Sequence, residues 1–191
     1  MANLLIYTFT GNTLNPTTTA EGLTGSAQTD SGSLDNFATG TGNDWVSEPT
    51  IQAKPPTGVT TAALAVTNNS YWYFTATPNA GKVLGLAALN LNAGRGGSSV
   101  PRGLKIRSSI DSYAGDLYSA NLATYGPTWT AISIDLSGVS FQGLTAAITF
   151  RFYVWAPTNS NTVDADDIIL TGAVADAVAA VSPNFLPFFW A

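Results

Sequence analysis

The eight residues ITFRFYVW at positions 148–155 decide the fold, because their side chains alternate in character along the chain. Every second residue is purely apolar, namely Ile148, Phe150, Phe152 and Val154. The residues between them are polar or amphipathic, namely Thr149, Arg151, Tyr153 and Trp155. Successive side chains of a β-strand point to opposite faces of the sheet. The stretch therefore predicts a strand with one face in a hydrophobic core and one amphipathic face.

The amphipathic face of this strand admits two interpretations. In the first, it is a partly exposed sheet face on which Arg151 lies over an aromatic ring. In the second, it is a ligand platform on which sugar rings stack against Tyr153 or Trp155. Aromatic residues elsewhere in the chain could extend such a platform if they are exposed. The candidate glycan-binding residues are Tyr71, Tyr73, Trp129, Tyr153 and Trp155.

A second strand is predicted at VDADDIILTG, residues 163–172, and it begins with a cluster of aspartates. Asp164 and Asp166 share one face of this strand, whereas Asp167 points the other way. These carboxylates repel one another unless a cation or solvent offsets the repulsion. Because Ca²⁺ prefers carboxylate and backbone oxygens, a structural Ca²⁺ site at these three residues is one interpretation. In the other, the carboxylates simply face water at the start of the strand.

Short alternating strands separated by Gly, Pro and Asn turns continue along the rest of the chain. Ala62–Thr67 and Ser70–Thr77 are expected to pair as a hairpin around Asn68-Asn69, because Asn tolerates the positive φ of tight turns. The polar stretch at 30–58 is expected to be a long loop that folds onto the body. About nine or ten strands and no long amphipathic helix predict an all-β, antiparallel β-sandwich of the jelly-roll type. This domain would span residues 1–172, followed by an apolar tail at 173–191.

The composition excludes several functional classes. The chain has neither cysteine nor histidine, so Ser-His and Cys-His triads, His-ligated zinc sites and disulfides cannot form. Seven basic and twelve acidic residues give a formal net charge of −5, which argues against nucleic acid as a partner. No apolar run approaches the length of a membrane helix, so no membrane partner is expected. The opening MANLLIYTFTGN is typical of a strand rather than a signal peptide, which predicts synthesis in the cytosol without a secretion signal.

Several stretches together carry a family resemblance: YFTATPNAGKVLGLAALNLNAGRG at 73–96, LKIRSSIDSYAGDLYS at 104–119, AISIDLSG at 131–138, ITFRFYVWA at 148–156 and VDADDIILTG at 163–172. This series resembles the jelly-roll domain of bacterial exported proteins that carry a PEP-CTERM sorting tail. More distantly, the layout is similar to the sandwiches of carbohydrate-binding modules, which often hold a structural calcium near an aspartate pair such as Asp166-Asp167. This sequence differs from the exported proteins because it shows no signal peptide and no sorting tail. The resemblance therefore implies a fold and leaves the function open.

The final residues, SPNFLPFFWA, are far more apolar than a typical chain terminus. The large apolar side chains in this tail are Phe185, Leu186, Phe188, Phe189 and Trp190. They could close the bottom of their own sandwich or anchor the protein in a neighbouring subunit. Their burial contributes on the order of 10 kcal/mol, against an ordering cost of about 1–2 kcal/mol for each residue. An anchor of this kind is weak alone and effective when many copies bind one lattice.

These observations predict a protein that is not an enzyme and needs no cofactor beyond a structural Ca²⁺. The main hypothesis is a virion protein, such as a capsid decoration (cement) protein of a tailed phage, whose tail binds neighbouring subunits of the shell. Under this hypothesis the protein is a homo-oligomer, and a trimer is a plausible form. The alternative is a carbohydrate-binding module or adhesin that recognises glycans through exposed aromatic rings.

A glycosidase is a third hypothesis, which the sequence disfavours. Such an enzyme needs two carboxyl groups that face each other across a cleft. The available carboxylates are scattered among turns and strand ends: Glu21, Glu48, Asp111, Asp116 and Asp135. Asp111 in particular follows a predicted strand, where aspartate commonly forms a turn.

Overall fold

The computed structural model describes residues 1–40, 49–123, 129–157 and 162–178, and their secondary structure is almost entirely β. The strands, in chain order, are β1 (Ala2–Tyr7), β2 (Thr18–Thr19), β3 (Leu23–Gly25), β4 (Thr29–Asp30), β5 (Asn36–Gly40), β6 (Thr50–Lys54), β7 (Tyr71–Pro78), β8 (Lys82–Arg95), β9 (Gly103–Ser108), β10 (Tyr118–Asn121), β11 (Thr130–Asp135), β12 (Ile148–Trp155) and β13 (Val163–Asp176). One α-helix, α1 (Ala62–Thr67), and 3₁₀ turns at Ser109–Asp111 and Val139–Phe141 complete the described elements. Within these ranges no helix has both the length and the apolar character that a membrane span requires.

The strands form two antiparallel sheets packed face to face. The front sheet has the order β10-β9-β12-β7-β3, and β4 also pairs with β7. The back sheet has the order β11-β8-β13-β1-β2, and the β5–β6 pair joins it through β13. The predicted all-β antiparallel sandwich of the jelly-roll type is thus confirmed. The strand count among the described residues exceeds the expected nine or ten because several short edge strands were not distinguishable from turns.

The apolar faces of the two sheets meet in one core. The core side chains of β12 are Ile148, Phe150, Phe152 and Val154, and each is at most 1% exposed. On the neighbouring strand β7, the Trp72 ring stacks on Phe152 with 5.0 Å between ring centroids. The alternation in the sequence of β12 therefore fixes the orientation of the front sheet, with its amphipathic residues on the outer face.

The predicted long loop at 30–58 is partly wrong, because it contains the β5–β6 pair. Ile51 and Ala53 of β6 are fully buried, and β6 continues the back sheet beside β13. Phe37 of β5 packs on the core with its ring 6.2 Å from that of Trp72. Burial of alternate residues outweighs the polar composition that suggested a loop.

The predicted strand at Ala62–Thr67 is also wrong, because this segment forms helix α1. Thr61 caps the helix, since its Oγ1 accepts a hydrogen bond from the Leu64 backbone N–H at 3.3 Å. Three alanines in the segment favour a helix. Ala65 is fully buried, so the helix packs on the sandwich instead of pairing with it.

The expected division at residue 172 falls within a strand, because β13 continues to Asp176. This last part of β13 pairs with β8, and Asp176 forms an ion pair with Lys82 at 2.6 Å. The tail residues proposed as an anchor, Phe185, Leu186, Phe188, Phe189 and Trp190, lie outside the described residues. The anchor role of the tail therefore stays a prediction.

Candidate functional site

A pocket of about 340 Å³ opens in the middle of the outer face of the front sheet. We call it the tyrosine pocket; its lining residues are Asp30, Ser31, Tyr71, Tyr73, Tyr113, Thr149 and Arg151. All seven are partly exposed, so the pocket is open to solvent. Its volume lies at the small end of the range of about 300–1,000 Å³ that small-ligand sites occupy.

Arg151 is the one cation among the described residues that line the tyrosine pocket. Its Cζ lies 3.6 Å from the ring centroid of Tyr113 and 4.6 Å from that of Tyr71. These contacts are cation–π interactions, which confirms the expectation that Arg151 lies over an aromatic ring. Burial lowers the pKa of Arg151, but a hydrogen bond to the Tyr153 hydroxyl and the neighbouring tyrosines outweigh it and raise the pKa.

Tyr113 reaches the pocket because the chain reverses sharply after β9. Ser112 and Tyr113 both have left-handed backbone conformations, with φ of 59° and 64°. The backbone N–H of Tyr113 donates to the carbonyl of Ser108 at 3.0 Å, and its own carbonyl accepts from Arg107 Nη1 at 2.8 Å. The turn is therefore anchored to the strand at both backbone groups, which directs the ring back over the sheet.

An ionic network on β9 supports this turn. Asp116 accepts from Arg107 Nε at 2.6 Å and pairs with Lys105 Nζ at 2.7 Å. Burial raises the pKa of Asp116, but its hydrogen bonds with the two cations outweigh this effect and hold the pKa below its ordinary value. Arg107 also lies 6.0 Å from the ring centroid of Tyr153. The network consequently ties the Tyr113 turn to the aromatic residues of β12.

Helix α1 covers the other end of the aromatic surface. Tyr153 and Trp155 are only 2% and 4% exposed, because they form a small cluster with Val59 and Ala65. Their rings therefore offer no face for sugar stacking in this structure, contrary to the exposure that the platform hypothesis requires. The sequence placed both rings correctly on the outer face of β12, but it did not reveal the helix above them.

Trp155 is fixed by its neighbours in the front sheet. Its Nε1 donates to Asn121 Oδ1 at 3.1 Å, and its ring lies directly over Gly103. A second pocket of about 370 Å³ borders this ring; it is lined by Thr60, Thr61, Ala62, Pro101, Ser119, Ala120, Asn121 and Trp155. Since only a small fraction of Trp155 is accessible there, this pocket offers less aromatic surface than the tyrosine pocket.

The structure brings three of the five predicted glycan-binding residues into contact, because the Tyr153 ring packs on that of Tyr71 with 4.9 Å between centroids. Tyr71 and Tyr73 line the tyrosine pocket, and their rings meet edge-on with 6.2 Å between centroids. Trp129 directly precedes β11 at the edge of the back sheet, so it lies outside this group. The sequence analysis missed Asp30, Ser31 and Tyr113 as pocket residues. Asp30 ends the two-residue strand β4 and Tyr113 lies in a turn, so neither belongs to an alternating pattern that would place it at the pocket.

Of the three aspartates of β13, Asp166 and Asp167 lie at an irregularity in the strand, whereas Asp164 pairs regularly with its neighbours. Asp166 Oδ1 accepts from the backbone N–H of Asp167 at 2.8 Å, and Asp167 Oδ2 accepts from Asn92 Nδ2 at 3.2 Å. The register with β8 shifts at this point, and Asp167 has a φ of 48°. Asp164 is fully buried, so the hypothesis that all three face water is wrong. No group of three acidic side chains suited to a metal occurs among the described residues, and the predicted Ca²⁺ site stays a prediction.

The candidate glycosidase carboxylates do not form a pair around the tyrosine pocket. Asp111 accepts from the backbone N–H of Gly115 at 2.7 Å, which confirms it as a turn residue. Asp135 accepts from the N–H of Ser137 at 2.8 Å, and Asp116 is engaged by two cations. Glu21 is exposed outside the pocket. Glu48 lies outside the described residues, and Asp30 is the one carboxylate among the described lining residues.

No protein-family model matches the chain, and no curated protein sequence matches it. Among solved structures, the chain is similar to the K3 cleaved adhesin domain of Lys-gingipain from Porphyromonas gingivalis w83, with a TM-score of 0.50, 13% identity, and coverage of 90% of this chain and 100% of that chain. It is also similar to the arabinose-bound α-L-arabinofuranosidase MgGH51, with a TM-score of 0.50 and 17% identity; the match covers 88% of this chain and 26% of the enzyme.

A third similar structure is the CBM22-1 xylan-binding domain from Paenibacillus barcinonensis Xyn10C, with a TM-score of 0.47, 12% identity, and coverage of 92% of this chain and 96% of that chain. Other similar structures are also carbohydrate-binding modules. At these identities the similarities show the sandwich fold alone. They give no support to the virion hypothesis.

Proposed function

We propose that this protein is a non-catalytic glycan-binding module whose binding site is the tyrosine pocket. The observation that carries the proposal is the combination of aromatic rings and hydrogen-bonding side chains around one open cavity on a sheet face. A sugar ring has apolar C–H faces and a rim of hydroxyl groups. Sites of this mixed character, with a few placed polar groups among aromatic ones, are typical of small-ligand pockets.

Each part of the pocket has a role in this proposal. Tyr73 offers ring surface to the apolar face of a sugar, and Tyr71 lies beside it in contact with Arg151 and Tyr153. Asp30, Ser31 and Thr149 stand at the walls, where carboxylate and hydroxyl oxygens hydrogen-bond sugar hydroxyls. Because β7 and β12 pair directly and their outer residues are held by ring contacts, the site is largely formed before a ligand arrives.

The electrostatics favour binding over hydrolysis. Both classes of glycosidase need two carboxyl groups on either side of the scissile bond. Among the described residues, the pocket has a single carboxylate, Asp30, and it accepts a hydrogen bond from Ser31 at 3.3 Å. The proposal therefore assigns recognition to the site and no bond cleavage.

Glycan-array screening followed by titration calorimetry on Tyr73→Ala tests the proposal. Loss of the ring should weaken glycan affinity by about tenfold or more, equivalent to about 1.4 kcal/mol. Thr77→Ala is the matched control, because Thr77 lies on the same face of β7 but outside the pocket. Absence of any glycan binding, or equal affinities in wild type and Tyr73→Ala, would reject the proposal.

A further inference from the structure

We infer that the tyrosine pocket selects carboxylated sugars, with Arg151 binding the sugar carboxylate; this inference rests on the proposed glycan-binding function. The first observation is the position of the guanidinium group, whose Cζ lies over the rings of both Tyr71 and Tyr113. All N–H donors of arginine lie in the plane of the group. A guanidinium that stacks on a ring therefore keeps its donor edge available.

The hydrogen bonding of Arg151 is incomplete. Arginine has five N–H donors, and among the described residues Arg151 gives one long hydrogen bond, from Nη1 to the Tyr153 hydroxyl at 3.5 Å. That distance is at the outer limit of a hydrogen bond. Arg151 lines the open pocket, and a planar carboxylate bound there can accept two parallel hydrogen bonds from a guanidinium.

The charged residues of the front face also favour an anionic ligand. Lys105 and Arg107 share Asp116, whereas Arg151 has no ion-pair partner among the described residues. The charged residues among the described lining of the pocket are Asp30 and Arg151, which gives the pocket a net charge of zero on a protein whose formal net charge is −5. A guanidinium that forms no ion pair favours the binding of an anionic ligand at this place.

The two charged side chains of the pocket, Asp30 and Arg151, explain how a neutral sugar and an acidic sugar would differ. Asp30 is a hydrogen-bond acceptor for hydroxyl groups, which both kinds of sugar carry. Arg151 is a pure donor, and a neutral hydroxyl satisfies it less well than a carboxylate, since charge-assisted hydrogen bonds are about twice as strong as neutral ones. Selectivity therefore depends on Arg151, while general sugar affinity depends on the tyrosines and the pocket walls.

Titration calorimetry with a matched ligand pair tests this inference. The acidic ligands are a galacturonate trisaccharide and sialyllactose, which separate uronic from sialic acid as the source of the carboxylate. Their neutral counterparts are the methyl esters of the same galacturonate trisaccharide and of sialyllactose, which differ from the acids only at the carboxyl groups. We expect at least one acid to bind about tenfold more tightly than its counterpart, a difference of about 1.4 kcal/mol.

Arg151→Gln should remove that preference, and Arg151→Lys should keep only part of it, because lysine retains the charge but lacks the planar fork. Lys82→Gln is the control, since it removes one positive charge outside the tyrosine pocket. If Arg151→Gln does not fold, the wild type provides the test. Its preference for acidic over neutral sugars should decrease as NaCl rises from about 0.1 M to about 1 M, because the screening length then falls from about 10 Å to about 3 Å.

The outcomes separate the two proposals. Equal binding of acids and counterparts, with loss of both in Tyr73→Ala, overturns the carboxylate inference and leaves the glycan-binding function standing. The inference is also overturned if the Arg151→Gln variant still binds acidic sugars more tightly than neutral ones, or if this preference does not change with salt concentration. Failure of all sugars to bind overturns both.

Discussion

At the scale of single residues, Gly103 determines how Trp155 packs. The indole lies flat over Gly103, and a Cβ at this position would overlap Trp155 Cζ2 and the carbonyl of Ala120. The Ala120 carbonyl is backbone of β10, which pairs with β9, so it cannot move without disturbing the sheet; the indole is held by its hydrogen bond to Asn121. The lack of a side chain at Gly103 therefore allows the tryptophan to remain buried beneath α1.

Gly103→Ala should reduce the free energy of unfolding by about 1–3 kcal/mol, the usual cost of overpacking a filled site. Urea denaturation measures this loss, and fluorescence should report a displaced Trp155. Gly138→Ala is the control, because a Cβ at Gly138 meets no atom within 4 Å and its φ is −59°. Equal stability of the two variants would show that the ring can move aside without cost.

At the scale of elements, helix α1 divides the aromatic surface of the front sheet into two parts. Ala65 packs against the Tyr153 and Trp155 cluster, and Val66 and Tyr71 border it. The helix has only six residues, so its stability depends on this packing and on the Thr61 cap rather than on its own hydrogen bonds. The helix leaves Tyr71 and Tyr73 partly exposed to solvent and covers Tyr153 and Trp155.

Ala65→Glu should detach α1, because a carboxylate at a fully buried position has no compensating partner. We expect a loss of about 1–3 kcal/mol in the free energy of unfolding and a red shift in tryptophan emission as Trp155 meets water. The shift should vanish when Trp155→Phe is added.

Ala63→Glu serves as the control on the same helix, because it introduces the same charge at an exposed position. A similar red shift in both variants would contradict the role given to Ala65. Unchanged emission in Ala65→Glu would have the same consequence, since Trp155 would then be covered without the helix.

At the scale of the whole molecule, acidic groups with lowered pKa values link stability to pH. Hydrogen bonds from Lys82 and from Ser137 hold the pKa values of Asp176 and Asp135 below the ordinary value of 3.8. Burial raises the pKa of Asp116, but hydrogen bonds from Lys105 and Arg107 outweigh this effect and lower the pKa as well. Each pKa is lower in the folded than in the unfolded protein, so the unfolded chain binds more protons near pH 4. The three carboxylates therefore contribute fully to the free energy of unfolding above the unfolded-state pKa of 3.8. This contribution is lost as the pH falls through their pKa values in the folded protein.

Urea midpoints measured from pH 7 down to pH 2 should therefore stay high above pH 4 and fall below it. Asp116→Asn should lower the urea midpoint at pH 7 and make the midpoint fall less steeply below pH 4, because the variant lacks the carboxylate that pairs with two cations. Asp35→Asn, at an exposed aspartate, should leave the curve nearly unchanged. An acid decline as steep in Asp116→Asn as in wild type would show that this network contributes nothing to the pH dependence.

The sequence by itself determined the fold class and several local features. The two-residue period of β12 is a local property, so it identified the core face and placed Arg151 on the outer face beside aromatic residues. The turn role of Asp111 was also predictable, because it depends on the backbone four residues away. The absence of histidine and cysteine excluded whole classes of chemistry directly.

Only the tertiary structure decided which aromatic residues are open and what surrounds Arg151. The segment of α1 gave no sign in the sequence that it would lie over Trp155, and the polar stretch at 30–58 concealed the β5–β6 pair. Tyr113 and Asp30 reach the tyrosine pocket from other parts of the chain. Alternation and turn chemistry act between neighbours, whereas burial and pocket geometry depend on contacts between distant segments, and those exist only once the two sheets have packed.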